Sequence, residues 1–241
     1  MRDTAIEVRK LEGWDKMKQP TVMFVRLSII YTMCLVLANI IAVKIISIEG
    51  FIILPAAVII FPIVYIIDDI MTEVYGMKLS MVTIKMSIIA NILMVLITYI
   101  AMKLPFPAFW QGQKAFEGVF KWTWRIVLAS IIGCYFGEWS NSVVISRMKV
   151  LQNGRNFPLR AWISTVVGEG VDTLLFITIA FISTMPNKQL VTLIICQYLF
   201  KVGYEGICLP ITTRVTKWWK IREGFEIYDY TDNLVKTYRP L

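Results

Sequence analysis

The sequence predicts an all-α, polytopic integral membrane protein of six transmembrane helices, an arrangement that allows two inverted three-helix halves. Three observations predict it. Hydrophobic residues make up 57% of the 241-residue chain, above the roughly 45–50% of soluble domains. Charged residues are only 17%. Six apolar runs, each long enough to cross a bilayer, are separated by short polar breakers.

The elements follow in order. Residues 1–22 are polar and of mixed charge, and read as a cytoplasmic tail. The next run is too long for a signal-peptide core and has no small-residue cleavage site, so it reads as the first span. The spans fall at about 24–47, 51–74, 79–102, 122–146, 158–184 and 188–214, within a membrane domain of residues 23–216. "IEGF", "YGMK", "RMKVLQNGRNFPLR" and "MPNK" separate neighbouring spans, and residues 103–121 form the longest external connection. Residues 217–241 form a second cytoplasmic tail.

Orientation follows from the basic residues. Five lie in the N-terminal tail, and Arg147, Lys149, Arg155 and Arg160 lie between spans four and five. Lys217, Lys220 and Arg222 follow span six. The opposite side has fewer, although Lys103, Lys114 and Lys121 weaken the contrast. Both termini are therefore expected on the cytoplasmic side of the cell membrane, the inner membrane where there are two.

Composition also excludes several classes. The formal charge of +8 would suggest nucleic acid in a soluble protein; here cytoplasmic-loop bases account for it, and no nucleic-acid partner is expected. There is no histidine, and the four cysteines lie in apolar stretches without a CxxC, so neither a metal site nor a cofactor is expected. No P-loop is present, so the chain cannot itself hydrolyse ATP. The sequence allows a homo-oligomer and does not fix it.

The informative residues are charges that lipid does not tolerate. Asp68, Asp69 and Glu73 lie in span two, Glu138 in four, Glu169 and Asp172 in five, and Lys201 and Glu205 in six. Lys44, Lys85 and Arg125 also fall in spans but can snorkel to an interface. At roughly 2.5–3.5 kcal/mol each in mid-bilayer, such groups must face a polar cavity or one another. Asp69 and Glu73 are i,i+4, Glu169 and Asp172 are i,i+3, and Lys201 and Glu205 are i,i+4, so each pair shares a helix face. A polar binding cavity and a set of structural ion pairs both fit this spacing. Pro62 and Pro210, read as interior to their spans, would kink them. A short echo relates "GEWSNS" (137–142) to "GEGVDT" (168–173).

Four blocks carry a resemblance: "ANIIAVK" (38–44), "FPIVYIIDDIMTEVYG" (61–76), "STVVGEGVDTLLFITIAF" (164–181) and "KVGYEGICLP" (201–210). In order and spacing they resemble the queuosine precursor transporter family, also called the vitamin uptake transporter family. The resemblance implies a membrane transporter, not an enzyme, importing 7-cyano-7-deazaguanine, 7-aminomethyl-7-deazaguanine or queuine for queuosine in tRNA. Its partners would be a deazapurine base and the lipid bilayer. Carried onto this chain, and joined to the acids read from spacing, it implies a substrate site of Asn39, Lys44, Tyr65, Asp69, Glu73, Glu169, Asp172, Phe176, Lys201 and Glu205. Asn141 and Glu169 depart from the family's usual aspartate and glutamine. A guanine-like ring offers N1–H and 2-amino donors that one carboxylate can accept, and an aromatic ring can stack on its face. Spacing does not fix which acid meets the base. Two rivals stand beside this reading: a magnesium-dependent membrane transferase, suggested by "DDIMTE", and the substrate-binding subunit of an ATP-driven vitamin uptake system.

Overall fold

The computed structural model describes residues 7–10, 21–48 and 52–228. It contains seven α-helices and four short strands among these residues. They are β1 (Glu7–Lys10), α1 (Val22–Ile41), β2 (Ile45–Ile48), β3 (Ile52–Pro55), α2 (Phe61–Tyr75), α3 (Met77–Lys103), α4 (Gln113–Phe120), α5 (Thr123–Leu151), α6 (Phe157–Phe181), α7 (Asn187–Glu223) and β4 (Phe225–Tyr228). Five helical segments, α1, α3, the α4–α5 run, α6 and α7, are long and apolar enough to cross a bilayer. The protein is a multi-pass membrane protein. Much of both expected tails lies outside the described residues.

The molecule turns the soluble pattern inside out. Ile29, Met33, Leu93, Leu96 and Ile207 are exposed, whereas Asp68, Asp69, Glu138, Glu169 and Lys201 are buried. Apolar side chains cover the outside, where lipid tails take the place of water.

The second crossing differs from the continuous span 51–74 that hydropathy suggests. The first helix stops at Ile41, not 47, and β2 pairs with β3 as an antiparallel hairpin, Ile45 opposite Pro55 and Ile48 opposite Ile52. Isoleucine-rich runs suit strands. The hairpin pairs the facing backbone groups of its two strands, and β3 lies against α7. The Ala56 N–H donates to the Lys44 carbonyl at 2.7 Å, and a 3-10 turn, Ala56–Ile59, leads into α2. Pro62 then sits in the first turn of α2, where its missing N–H is harmless, so it starts a helix and does not kink one. Pro210, by contrast, is inside α7 as expected.

α2 has 15 residues and is only about 22 Å long. It packs among α1, α3, α5 and α7, and 13 of its residues are buried. Surrounded by protein, it can carry three carboxyls that a lipid-facing helix could not. Gly76 separates α2 from α3 at φ 84° and ψ 160°, a conformation reserved for glycine.

The sequence echo marks the close crossing of antiparallel α5 and α6. A Cβ on Gly137 would lie 2.6 Å from the Asp172 Cβ and 3.0 Å from the Gly168 carbonyl oxygen. A Cβ on Gly168 would lie 2.9 Å from the Asn141 Cβ and 3.0 Å from the Gly137 carbonyl oxygen. The two echoed segments therefore pack on each other almost reciprocally. Small residues let membrane helices approach this closely. Gly137→Ala is expected to destabilise the protein by about 1–3 kcal/mol through overpacking, read as a lowered melting temperature in detergent.

Candidate functional site

Lys201 is the centre of the buried polar cluster. Its ammonium lies 2.8 Å from Glu169 Oε2 and 2.6 Å from Asp172 Oδ2, all three groups buried. The i,i+3 acids of α6 therefore converge on one cation from α7. Lys201 does not pair with Glu205, its i,i+4 neighbour. The Phe61 and Tyr65 rings of α2 flank the ammonium at 4.4 and 5.0 Å from their centroids, so the cation is also held by ring faces.

One turn further along α7, Glu205 accepts from the Thr165 hydroxyl and faces Asp69 on α2. Asp69 Oδ1 accepts from the Asn141 amide at 2.8 Å, and the same amide reaches Asp68 Oδ2 at 3.3 Å. Asp68 also accepts from Ser80, and from Ser142 at 3.4 Å, while the Tyr31 hydroxyl donates to Glu138 at 3.4 Å. Four carboxyls, Asp68, Asp69, Glu138 and Glu205, thus sit in the bundle without an ion-paired base among the described residues. Asp69 is in hydrogen-bond contact with Glu205, and Asp68 with Glu138, so each carboxyl pair shares a proton. Apart from these acid–acid contacts, Asp69 Oδ2, Glu138 Oε2, Glu205 Oε2 and Asn141 Oδ1 have no hydrogen-bond donor among the described residues, and the Tyr65 hydroxyl is unpaired as well. Buried acceptors left open carry a desolvation cost that a donor-bearing guest would relieve.

Glu73 shares the α2 face of Asp69 but not its surroundings. Its Oε1 is 2.7 Å from Arg160, 2.5 Å from Lys220 and 3.9 Å from Lys149. Lys149 also donates to the carbonyls of Glu73 at 2.6 Å and of Ile227 in β4 at 2.7 Å. Beside this cluster the Tyr75 hydroxyl donates to Glu223 at 2.7 Å and accepts from the Trp219 indole at 2.8 Å. These contacts close the end of the bundle that carries the basic loops.

The other end opens differently. A cleft of about 550 Å³ lies among Val43, Ile45, Trp122, Ile126 and Phe181. Between it and Lys201 stand three edge-packed rings: Phe181 and Phe176 are 6.3 Å apart, and Phe176 and Phe61 6.0 Å. Phe176, expected as a stacking ring, is thus part of an aromatic barrier beside the cluster.

Besides Glu73, two more expected residues lie apart. Asn39 donates to Asn91 on α3 at 2.6 Å and makes no hydrogen bond to the acids among the described residues. Lys44 lies beyond the end of α1 and is exposed. Lys44→Ala is expected to change stability by no more than about 0.5 kcal/mol, checked by thermal melting. Conversely, Phe61 and Asn141 belong to the buried polar cluster, and Gln197 lies buried one turn before Lys201 on α7, although none of the three was expected as a site residue. The echo at 137–142 was the signal for Asn141; Gln197 had none beyond being a polar residue in "LIICQYLF". No metal-ligand cluster of three or more His, Cys, Asp or Glu occurs among the described residues.

Comparison with known proteins adds a family. Residues 55–215 match the family model described as "Putative vitamin uptake transporter". A "Probable queuosine precursor transporter" of Bacillus subtilis (strain 168) is 29% identical over 100 residues, 41% of this chain and 44% of that protein. The chain thus matches less than half of that relative's length. No solved structure matches the chain.

Proposed function

The chain belongs to the family described as "Putative vitamin uptake transporter", and from that premise we propose that it imports a queuosine precursor. The substrate class is a 7-deazaguanine base: 7-cyano-7-deazaguanine, 7-aminomethyl-7-deazaguanine or queuine, salvaged for tRNA. Membership in a transporter family leaves the magnesium-dependent transferase reading without support.

One observation carries the choice of substrate. The buried cluster holds two carboxyl pairs that no basic side chain compensates among the described residues, Asp69 with Glu205 and Asp68 with Glu138, and one central cation, Lys201. A deazaguanine presents the complement: adjacent N–H donors at N1 and the 2-amino group, and a carbonyl at position 6. The Asp69–Glu205 pair accepts the donors, and the Lys201 ammonium meets the carbonyl. Tyr65 and Phe61, whose faces hold the Lys201 ammonium, line the same site. Each hydrogen bond to a charged group is worth about 1.5–3 kcal/mol, so a site of this kind discriminates strongly against bases lacking the donor edge.

The two closures give the path. The base enters from the cleft beside the β2–β3 hairpin and passes the Phe181–Phe176–Phe61 rings. It leaves where Glu73 is held by Arg160 and Lys220. The basic end is then cytoplasmic, both termini with it, as the positive-inside rule directs. Uptake of radiolabelled 7-cyano-7-deazaguanine into proteoliposomes containing only this protein tests the reading. Saturable uptake, lost in Asp69→Asn, is the expected result. Absence of uptake without an added ATPase would favour the ATP-driven subunit.

A further inference from the structure

Asp68 and Glu138 form a carboxyl pair that the reading above does not assign to the base. Both are fully buried, and they meet in a hydrogen-bond contact between α2 and α5. Asp68 is an acceptor on every side: Ser80 donates to one of its oxygens, and Asn141 and Ser142 to the other. Glu138 has the opposite surroundings. Its Oε1 accepts a long hydrogen bond from Tyr31 at 3.4 Å, and its Oε2 has no other donor among the described residues. Two bare carboxylates do not hold such a contact, so Glu138 carries a proton and donates it to Asp68. Among the described residues, the titratable groups facing the pair are Tyr31 from α1, Tyr65 and Asp69 from α2, Cys134 from α5, Asp172 from α6 and Glu205 from α7. None of them is basic.

Polar groups reach the pair from both ends of the bundle. Ser130, Cys134, Glu138 and Ser142 recur at i,i+4 along α5, all buried. Ser130 and Cys134 are in contact at 3.8 Å, on the side of the cleft at Trp122 and Ile126. On the other side the Ser142 hydroxyl lies 3.1 Å from that of Thr72, the neighbour of Glu73 in the basic end.

We propose that the Asp68–Glu138 pair is the site of a coupling proton, which enters with each base and leaves to the cytoplasm. The inference rests on the transporter reading above. The two carboxyls meet directly, so the space between them suits a proton and no larger ion. Asn141 ties this pair to the base site, because its amide donates to Asp69 at 2.8 Å and reaches Asp68 at 3.3 Å. Loss of the proton leaves two carboxylates in contact, which repel each other and draw the shared amide toward Asp68. Asp69 then loses the donor that orients it toward the base. Proton and base therefore favour each other's binding, which is the linkage a symporter needs.

The test uses proteoliposomes of the full chain in sodium-free buffer, with a trapped pH-sensitive dye and the membrane potential clamped by valinomycin and equal potassium. 7-Cyano-7-deazaguanine is added outside. In the wild type its entry is expected to acidify the lumen, and an outside-acid gradient should accumulate it up to about tenfold per pH unit. Glu138→Gln keeps a donor toward Asp68 but has no proton to release. It is expected to exchange labelled base across the membrane while losing both the acidification and the accumulation. Asp68→Asn carries the test if Glu138→Gln does not fold. Wild-type uptake without proton movement, or a variant still coupled like the wild type, would overturn the proposal. So would a folded variant that has lost exchange, since Glu138 would then serve the base itself. Failure of the underlying reading looks different: no deazaguanine would enter under any gradient, and both proposals would go.

Discussion

Lys201→Met is expected to lower stability by about 3–5 kcal/mol and to abolish binding of the base. The lysine is buried between Glu169 and Asp172, 2.8 and 2.6 Å away. Removing it leaves two carboxylates in the bundle without their cation, which is the costly way to break a buried ion pair. It also removes the ammonium from the Phe61 and Tyr65 faces. The triple variant Lys201→Met, Glu169→Gln, Asp172→Asn removes the charges together and should recover most of the lost stability, because the penalty belongs to the unpaired charges. It should not recover binding. Thermal unfolding in detergent and calorimetric titration of the same preparations separate the two effects.

Glu73→Gln and Asp69→Asn are expected to behave oppositely, although the residues share one face of α2. Glu73 compensates Arg160 and Lys220, with Lys149 close by, so its neutralisation leaves buried positive charge and should cost about 3–5 kcal/mol. Among molecules that remain folded, affinity for the base should stay near that of the wild type. Asp69 has no ion-paired base among the described residues; its carboxyl meets the Asn141 amide and the carboxyl of Glu205. Asp69→Asn should therefore cost less than about 1 kcal/mol of stability, since its amide replaces an acceptor near other acceptors. It should weaken base binding by about ten- to a hundredfold, the loss of one charge-assisted hydrogen bond. Melting temperature against affinity, plotted for both variants, checks the contrast.

The crossings and the buried acids were legible because both signals are large. A run of about 20 apolar residues has few soluble interpretations, and a carboxyl in such a run demands a partner. The hairpin at 45–55 was not legible, because an isoleucine-rich run of this length reads equally as helix or strand in a hydropathy window. The shift of Pro62 from a kink to a helix start follows from the same error. The partners of Glu73 were hidden because Arg160 and Lys149 were counted as loop bases, whereas α5 and α6 carry both into the bundle end. The Lys201–Glu205 spacing puts both on one helix face, where Lys201 turns to the two acids of α6. Spacing fixes which face a residue occupies; the neighbouring helix decides what it meets there. The echo at Gly137 and Gly168, a short match in one dimension, is a helix crossing in three.

The most direct test of the intramembrane site is the melting temperature of the purified protein titrated with 7-cyano-7-deazaguanine, 7-aminomethyl-7-deazaguanine, queuine and guanine, wild type beside Asp69→Asn. A ligand that binds only the folded state stabilises it by about 2.7 kcal/mol at a hundred times its Kd. A saturable rise with at least one deazaguanine, strongly reduced in Asp69→Asn, is the predicted result. No rise with any base, or an equal rise in the variant, would contradict a substrate site built on the α2 carboxylate.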